Sequence, residues 1–337
     1  MKAFVQTALG KYEERDVPDP RPAPGEVVLR MRAALTCGTD LKLLARGHPR
    51  IPLPLTMGHE VCGEIADVGE GVTGWRVGDR VVPGITGPCG ECPDCRHGRS
   101  NLCAAAHADR TWGAFAELVR VPASVVSTNL HRVPEELSDW AAAFLDPVAS
   151  VLHGWNQLRP PRGTMLIHGA GAIALLWVAT AQRRGLRTVV VGRGPERLRL
   201  AAALGAEVVE LPKMDHPRRL TDAFGGTADI AVDCTGAPEV WERLPRLVRR
   251  GGEVLLFGGC APGTRVTFDA ARLHYDEIAL LGSFHYTPEE AREALGLLGS
   301  GELDLAPLVT HTGTLGELPG FLDAHARGEG IRYAVTG

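Results

Sequence analysis

The sequence predicts an α/β protein in two parts, a β-rich first domain followed by a doubly wound parallel sheet. Three observations lead there. From Met1 to about Ala123, short apolar β segments are broken by Gly and Pro at almost every turn. From Thr164 onward, strand-like and helix-like stretches alternate, the pattern of βαβ units. The chain has 337 residues and is 45% hydrophobic, enough for two cores of ordinary size.

In the first part the strand candidates are VVLRMRAAL, CGEIADVG, DRVVP and FAELVRV, which suit a small barrel-like domain. Near Pro134 the pattern changes. EELSDWAAAFLDPVASVLHGWNQL has helical apolar spacing, and Pro160-Pro161 stops it. TMLIH then reads as a strand and AIALLWVATAQRRG as a helix closed by Gly185. RTVVVG is a strand, and PERLRLAAALG is a helix with Pro195 in its first turn, where a missing N–H does no harm. EVVEL and ADIAVD are strands, PEVWERLPRLVRRG a helix, and EVLLFGG and EIALLGSF further strands. These runs are short, apolar and β-branched, as expected where helices cover both faces. From Thr287, two amphipathic helices and the strand-like tail IRYAVTG are expected to return to the first domain. The expected divisions are 1–149, 150–284 and a returning segment 285–337.

Composition excludes several classes. The net charge is −4, so there is no basic excess to hold a polyanion, and a nucleic-acid partner is not expected. No apolar run of about 18 residues reads as a membrane span. The first residues, MKAFVQTALGKYEER, turn polar too early for a signal peptide. Eight cysteines without a secretion signal point to a reducing, cytoplasmic setting and to metal or catalytic roles.

Four of them, Cys89, Cys92, Cys95 and Cys103, read C-x2-C-x2-C-x7-C within a lobe at about 87–105. Four thiolates that close together suit a tetrahedral structural Zn²⁺. The residues between them are Gly, Pro and charge, so metal binding would supply the lobe's folding free energy. A disulfide pair and an iron–sulfur cluster are the rival readings. A second set of ligand types, more widely spaced, is Cys37 in CGTDLK, His59-Glu60 in GHEVCGEI and Asp146 in LDPVASVLHG. Cys, His and carboxylate are the donors of a catalytic zinc with an open position. Asp40 reads equally as a partner behind such a ligand or as a turn residue. Cys62, Cys234 and Cys260 read as small buried hydrophobes. His97 and His107 flank a lobe whose tetrahedron is already full. His153 is a candidate to face a cleft, and His48, His285 and Trp112 are candidates to line a substrate pocket.

Gly169, Gly171 and Ala174, with Ala172 and Ile173 between, form G-x-G-x-x-A directly between a strand and a helix. The first Gly permits the tight turn and the second lets a pyrophosphate approach the backbone. The third position needs a small residue for helix–strand packing. The phosphates would rest on the helix N-terminus. The next strand ends at Gly192-Arg193, where NAD-binding chains place a carboxylate for the ribose 2′-hydroxyl. Without that carboxylate, Arg193, and Arg197 in the following helix, are candidate partners for a 2′-phosphate. NADP(H) is therefore expected over NAD(H).

The order CGTD, GHE, GEGVTGWRVGDRV, the four-Cys lobe, a D/E-P motif, GAGAIA and PERLRLAAALGA resembles zinc-dependent medium-chain alcohol and polyol dehydrogenases across the whole chain. The resemblance implies a GroES-like catalytic domain and a Rossmann coenzyme domain, two zinc ions per chain, and a homodimer or homotetramer. Carried over by motif, Cys37, His59 and Asp146 match the catalytic zinc ligands. Glu60 matches the carboxylate that exchanges on and off the metal, Cys89, Cys92, Cys95 and Cys103 match the structural site, and Thr39 matches the hydroxyl beside the reacting alcohol. Three positions depart from the pattern. Asp146 stands where polyol dehydrogenases usually have Glu, Lys42 where many relatives have a proton-relaying His, and Ala174 where the third Gly is usual. CGTDLK and GSFHYTPEEAREAL resemble the sorbitol, threonine and aminocyclitol dehydrogenase branch. The implied reaction interconverts an alcohol and a ketone or aldehyde, with a polyol, sugar alcohol or cyclitol favoured. The alternatives are a small secondary-alcohol dehydrogenase and a non-catalytic NADPH-binding protein. Relatives of the latter kind lack the Cys, His and carboxylate set that this chain keeps.

Overall fold

The computed structural model describes residues 1–47, 51–211, 222 and 225–337. The chain divides into two compact units, Met1–Ala149 with Tyr286–Gly337, and Ser150–His285. His48 lies outside the described residues.

The first unit opens with strands the sequence pattern did not announce, β1 (Lys2–Ala8) and β2 (Lys11–Asp16). β2 is KYEERD, exposed along nearly its whole length, so it has no apolar alternation to read; antiparallel pairing with β1 holds it. β3 (Val27–Leu35) follows, then β4 (Leu55–Thr56), β5 (Glu60–Val68), β6 (Arg80–Pro83), β7 (Leu118–Val121) and β8 (Leu130–Arg132). β3 is the hub. Its apolar residues Val27, Leu29 and Met31 enter a core with Phe4, Ile65, Phe115 and Val119, while Arg30 and Arg32 stay outside. Pairing with β5 sets Leu35 opposite Glu60. The segment expected as one helix over 135–158 is two, Asp139–Ala142 and Leu145–Gln157. The Ser138 hydroxyl accepts from the N–H of Ala141 and starts the first.

The second unit holds β9 (Thr164–His168), β10 (Arg187–Gly192), β11 (Glu207–Glu210), β12 (Ala228–Asp233), β13 (Val248–Leu256) and β14 (Ala279–Gly282). They form one parallel sheet in the order β11-β10-β9-β12-β13-β14. This is the doubly wound Rossmann order, reversing direction between β9 and β12. Helix Ala172–Arg183 is apolar on all sides and buries Trp177 completely. One expectation fails here. The helix expected over 238–251 stops at Arg243, and Val248 onward is already β13. Pro245 explains this, because its ring lacks an N–H and clashes with the preceding turn.

The chain then returns to the first unit. Helix Pro288–Gly299, β15 (Val309–Thr314), helix Leu318–Ala326 and β16 (Arg332–Thr336) all belong to it. β16 lies between β15 and β3 and sets Ala334 opposite Leu35. Among the described residues, no helix is long and apolar enough to cross a membrane.

Candidate active site and metal centres

Leu35 faces Glu60 on one side and Ala334 on the other. That register carries Cys37, the His59-Glu60 pair and Arg332 to one end of the sheet, although Arg332 is 272 residues from Glu60. The Cys37 sulfur, a His59 nitrogen and a Glu60 oxygen all lie within 4.8 Å of one another. Cys37 precedes helix Gly38–Arg46, and its N–H donates to Asp40 Oδ2 at 2.8 Å. Asp40 Oδ1 stands 3.2 Å from His59 Nδ1, close but not aligned as a hydrogen bond. A carboxylate on that side favours the proton on Nδ1 and leaves the Nε2 lone pair for a metal. Nε2 lies 3.9 Å from Glu60 Oε1. Asp40 is thus a buried partner of His59, at 1% exposure, and no surface turn residue.

The sequence reading missed Arg332. It is 1% exposed and donates to both Glu60 oxygens, at 2.8 and 3.0 Å, and to the Thr36 carbonyl at 2.6 Å. Its only sequence signal was a charge inside an apolar tail. Burial alone would push the Cys37 thiol up; Arg332 and His59 outweigh it and bring the thiol down to about 6. Burial also opposes a charged His59, yet Asp40 beside it holds the imidazole pKa well above its ordinary value. Glu60 is raised by burial, against the pull of Arg332.

Asp146 begins helix Leu145–Gln157 and stands outside the Cys37–His59–Glu60 trio. It shares a hydrogen bond with the Tyr286 hydroxyl, which also accepts the Ile85 N–H at 3.0 Å. Tyr286 was not anticipated either. Burial and nearby Glu60 raise the Asp146 carboxyl to about 6. Thr39 and Lys42 lie on the first turns of helix Gly38–Arg46, both exposed. Trp112 stacks on His59, with ring centroids 5.0 Å apart.

The four-Cys lobe has a different geometry. Cys92 and Cys95 sulfurs are 3.5 Å apart, Cys103 and Cys89 3.6 Å, and Cys89 and Cys95 4.0 Å. The edge of a tetrahedron with zinc–sulfur arms is about 3.8 Å, so a zinc fits. A disulfide is far shorter, and all eight cysteines are free. Burial and sulfur neighbours push Cys95 up to about 12. Cys103, despite burial, is brought down to about 6 by backbone N–H groups. His97 and His107 bond carbonyls of Pro93 and Asn101, at 2.7 and 2.8 Å, outside the sulfur group. Cys62 is fully buried as expected, but Cys234 and Cys260 are only half-buried.

In the second unit, Gly169 follows β9 with φ +118°, a value that favours glycine. Gly171 caps helix Ala172–Arg183, and a Cβ there would meet nothing within 4 Å, so the approach to the Ala172 and Ile173 N–H groups is open. Ala174 is fully buried against the sheet. Gly192 ends β10, where a Cβ would lie 2.7 Å from that of Ala170. Arg193 is exposed beyond it, and Arg197 lies against Gly194. His153, 8% exposed, and His285, with φ +59°, also belong to this unit.

Two family models match the chain. Residues 23–135 fit the alcohol dehydrogenase GroES-like domain, and residues 172–300 fit the zinc-binding dehydrogenase model. A sorbitol dehydrogenase of Halalkalibacterium halodurans is 30% identical over 348 aligned positions, covering 100% of this chain and 99% of its own. A crystal structure described as a zinc-binding dehydrogenase of Sinorhizobium meliloti 1021, bound to NADP, superposes with a TM-score of 0.86. It has 30% identity, and the match covers 100% of this chain and 99% of that one. Acetophenone reductase of Geotrichum candidum NBRC 4597, in complex with NAD, gives a TM-score of 0.86 at 27% identity, over 100% and 97%.

Proposed function

We infer the reaction from one premise: the chain belongs to the zinc-dependent medium-chain alcohol and polyol dehydrogenase family, oxidoreductases acting on CH–OH groups. We propose that it moves a hydride between a polyol, sugar alcohol or cyclitol and NADP(H), interconverting alcohol and ketone. The observation that carries this is the buried Cys37–His59–Glu60 trio, a sulfur, nitrogen and oxygen donor set within 4.8 Å. The sorbitol dehydrogenase relative supports the substrate class.

In this reading Cys37, His59 and Asp146 would hold a zinc, with Glu60, tethered to Arg332, as a further carboxylate donor beside Cys37 and His59. When bound, zinc supplies Lewis acidity towards the substrate oxygen, and the nicotinamide supplies the hydride acceptor. The residues do the rest. Asp40 orients His59 from behind. Arg332 balances the charges of Cys37 and Glu60. The Thr39 hydroxyl takes the alcohol proton and passes it towards solvent, so that the C–H electron pair can leave as hydride. The four cysteines of the lobe hold a second, structural zinc. Gly169, Gly171 and the N-terminus of helix Ala172–Arg183 receive the pyrophosphate. Cytoplasmic location and a homodimer or homotetramer complete the proposal.

Cofactor choice rests on Gly192, Arg193 and Arg197, since similar structures are bound to NADP in one case and NAD in another. An Arg–phosphate contact supports a preference of about 10–10³-fold in kcat/KM. An Asp at position 192 would press its Cβ to 2.7 Å from that of Ala170, so Arg193→Leu is the cleaner test. It should lower kcat/KM for NADP and leave that for NAD nearly unchanged. A parent enzyme that prefers NAD would end this part of the reading.

A small secondary alcohol is the second reading, favoured by Asp146 in place of Glu and by the acetophenone reductase match. Zinc content measured beside turnover of sorbitol-type polyols, cyclitols and 2-alkanols separates them. We expect two zinc ions per chain and the highest kcat/KM on a polyol or cyclitol. A zinc-free chain with no turnover would return it to the class of non-catalytic NADPH binders.

A further inference from the structure

We infer that Trp112 is a positioning residue for the metal of the Cys37–His59 pocket, its indole face fixing the plane of the His59 ring. The inference rests on the reading that this pocket holds zinc. The two rings are stacked, with centroids 5.0 Å apart and planes 15° from parallel. Their backbones are tied together. The N–H groups of Gly113 and Ala114 both donate to the Gly58 carbonyl, at 2.9 and 3.1 Å, and that of Phe115 donates to Met57 at 2.9 Å. Gly58 has φ +88°, and a Cβ on it would lie 2.9 Å from the Phe115 nitrogen. The strand end that carries His59 and the loop that carries Trp112 therefore sit at a separation no side chain could share. The backbone pairing thus brings the two residues to a fixed separation at which their rings can stack.

Asp40 meets the imidazole at one edge. Its contact with Nδ1 is close, at 3.2 Å, but out of line for a hydrogen bond. A contact at one ring atom restrains where that edge goes and leaves the ring free to tilt about it. The lone pair of Nε2 lies in the ring plane, so tilt carries it off the metal. A flat surface against the ring face removes this freedom. The indole N–H is buried and makes no hydrogen bond among the described residues. Partners that orient a metal-binding imidazole change metal affinity by about 10–100-fold when removed.

The test measures zinc release from the purified holoenzyme to a chromogenic chelator. The parent should lose two equivalents in two phases, and Cys37→Ser should lack one phase, which identifies the pocket. Trp112→Leu should speed that phase by about 10–100-fold and leave the other phase unchanged. Trp112→Phe, which keeps a ring face without an N–H, should release zinc as the parent does. Trp112→Gln is measured beside Leu, with the same loss expected, in case Leu does not fold. An unmoved pocket phase in a two-zinc enzyme overturns the role of Trp112 alone. A parent holding only the zinc that Cys37→Ser retains overturns the pocket reading as well. Equal loosening of both phases, or a Phe variant as defective as Leu, also sinks the proposal.

Discussion

The Cys37–His59 pocket and the four-Cys lobe both gather metal donors, but they differ in what holds those donors. In the pocket the protein does so. Asp40, Glu60 and Arg332 are each 1% exposed and lie within hydrogen-bonding or ion-pair reach of the ligands or of one another. In the lobe the sulfurs mainly face one another, and helix Pro93–Arg96 buries no residue. The pocket's donors are thus surrounded by charged partners from the fold itself, whereas in the proposed reading the lobe takes folding energy from its ion. Losing a ligand should cost chemistry in the first case and stability in the second.

The sharpest break is Cys37→Ser. It should remove one zinc and reduce kcat by at least about 10³-fold, the scale of several kcal/mol of Lewis-acid stabilisation. The fold should survive, losing only the stability that the missing zinc contributed. Retention of full activity would end the assignment of the pocket. Arg332→Met comes next. It leaves the buried Glu60 without its partner, and such losses cost about 3–5 kcal/mol. Urea unfolding measures this, and an unchanged midpoint would contradict a pocket held by these charged partners. Thr39→Val should lower kcat by about 10²-fold with little change in stability, while Thr39→Ser keeps most of the rate. A Val variant as fast as the parent removes Thr39 from the proton path. The gentlest change is Cys92→Ser. It should release the lobe's zinc and lower the melting temperature by about 2–4 °C for each kcal/mol lost, with turnover of the surviving folded enzyme near that of the parent. If the two cysteine variants exchanged these effects, the comparison would be reversed.

What was legible in the sequence follows from how local its cause is. The Cys spacing of the lobe is local, so the four sulfurs could be read together before any fold was known. The same holds for the turn at Gly169 and Gly171, where the glycines answer to strand–turn–helix geometry. β2 escaped notice because pairing with β1, and not an apolar face, makes it a strand. The helix expected over 238–251 ran past Pro245 because its apolar spacing continues into Val248, which the sheet claims as β13. In the pocket, Cys37 and His59 carried recognisable motifs. Arg332 and Tyr286 did not, because each acts only through contacts set by tertiary register, with Glu60 and with Asp146 and Ile85.

The position of β16 has a consequence for how the enzyme is made. Cys37, His59 and Glu60 leave the ribosome early, and the entire Ser150–His285 unit is synthesised before Arg332 appears. Until then β3 lacks its β16 neighbour and Glu60 has no guanidinium to meet. A nascent chain can therefore hold the whole Ser150–His285 unit while the Cys37–His59–Glu60 pocket still lacks Arg332. Pairing of residues 332–336 beside β3 therefore has to follow synthesis of that whole unit.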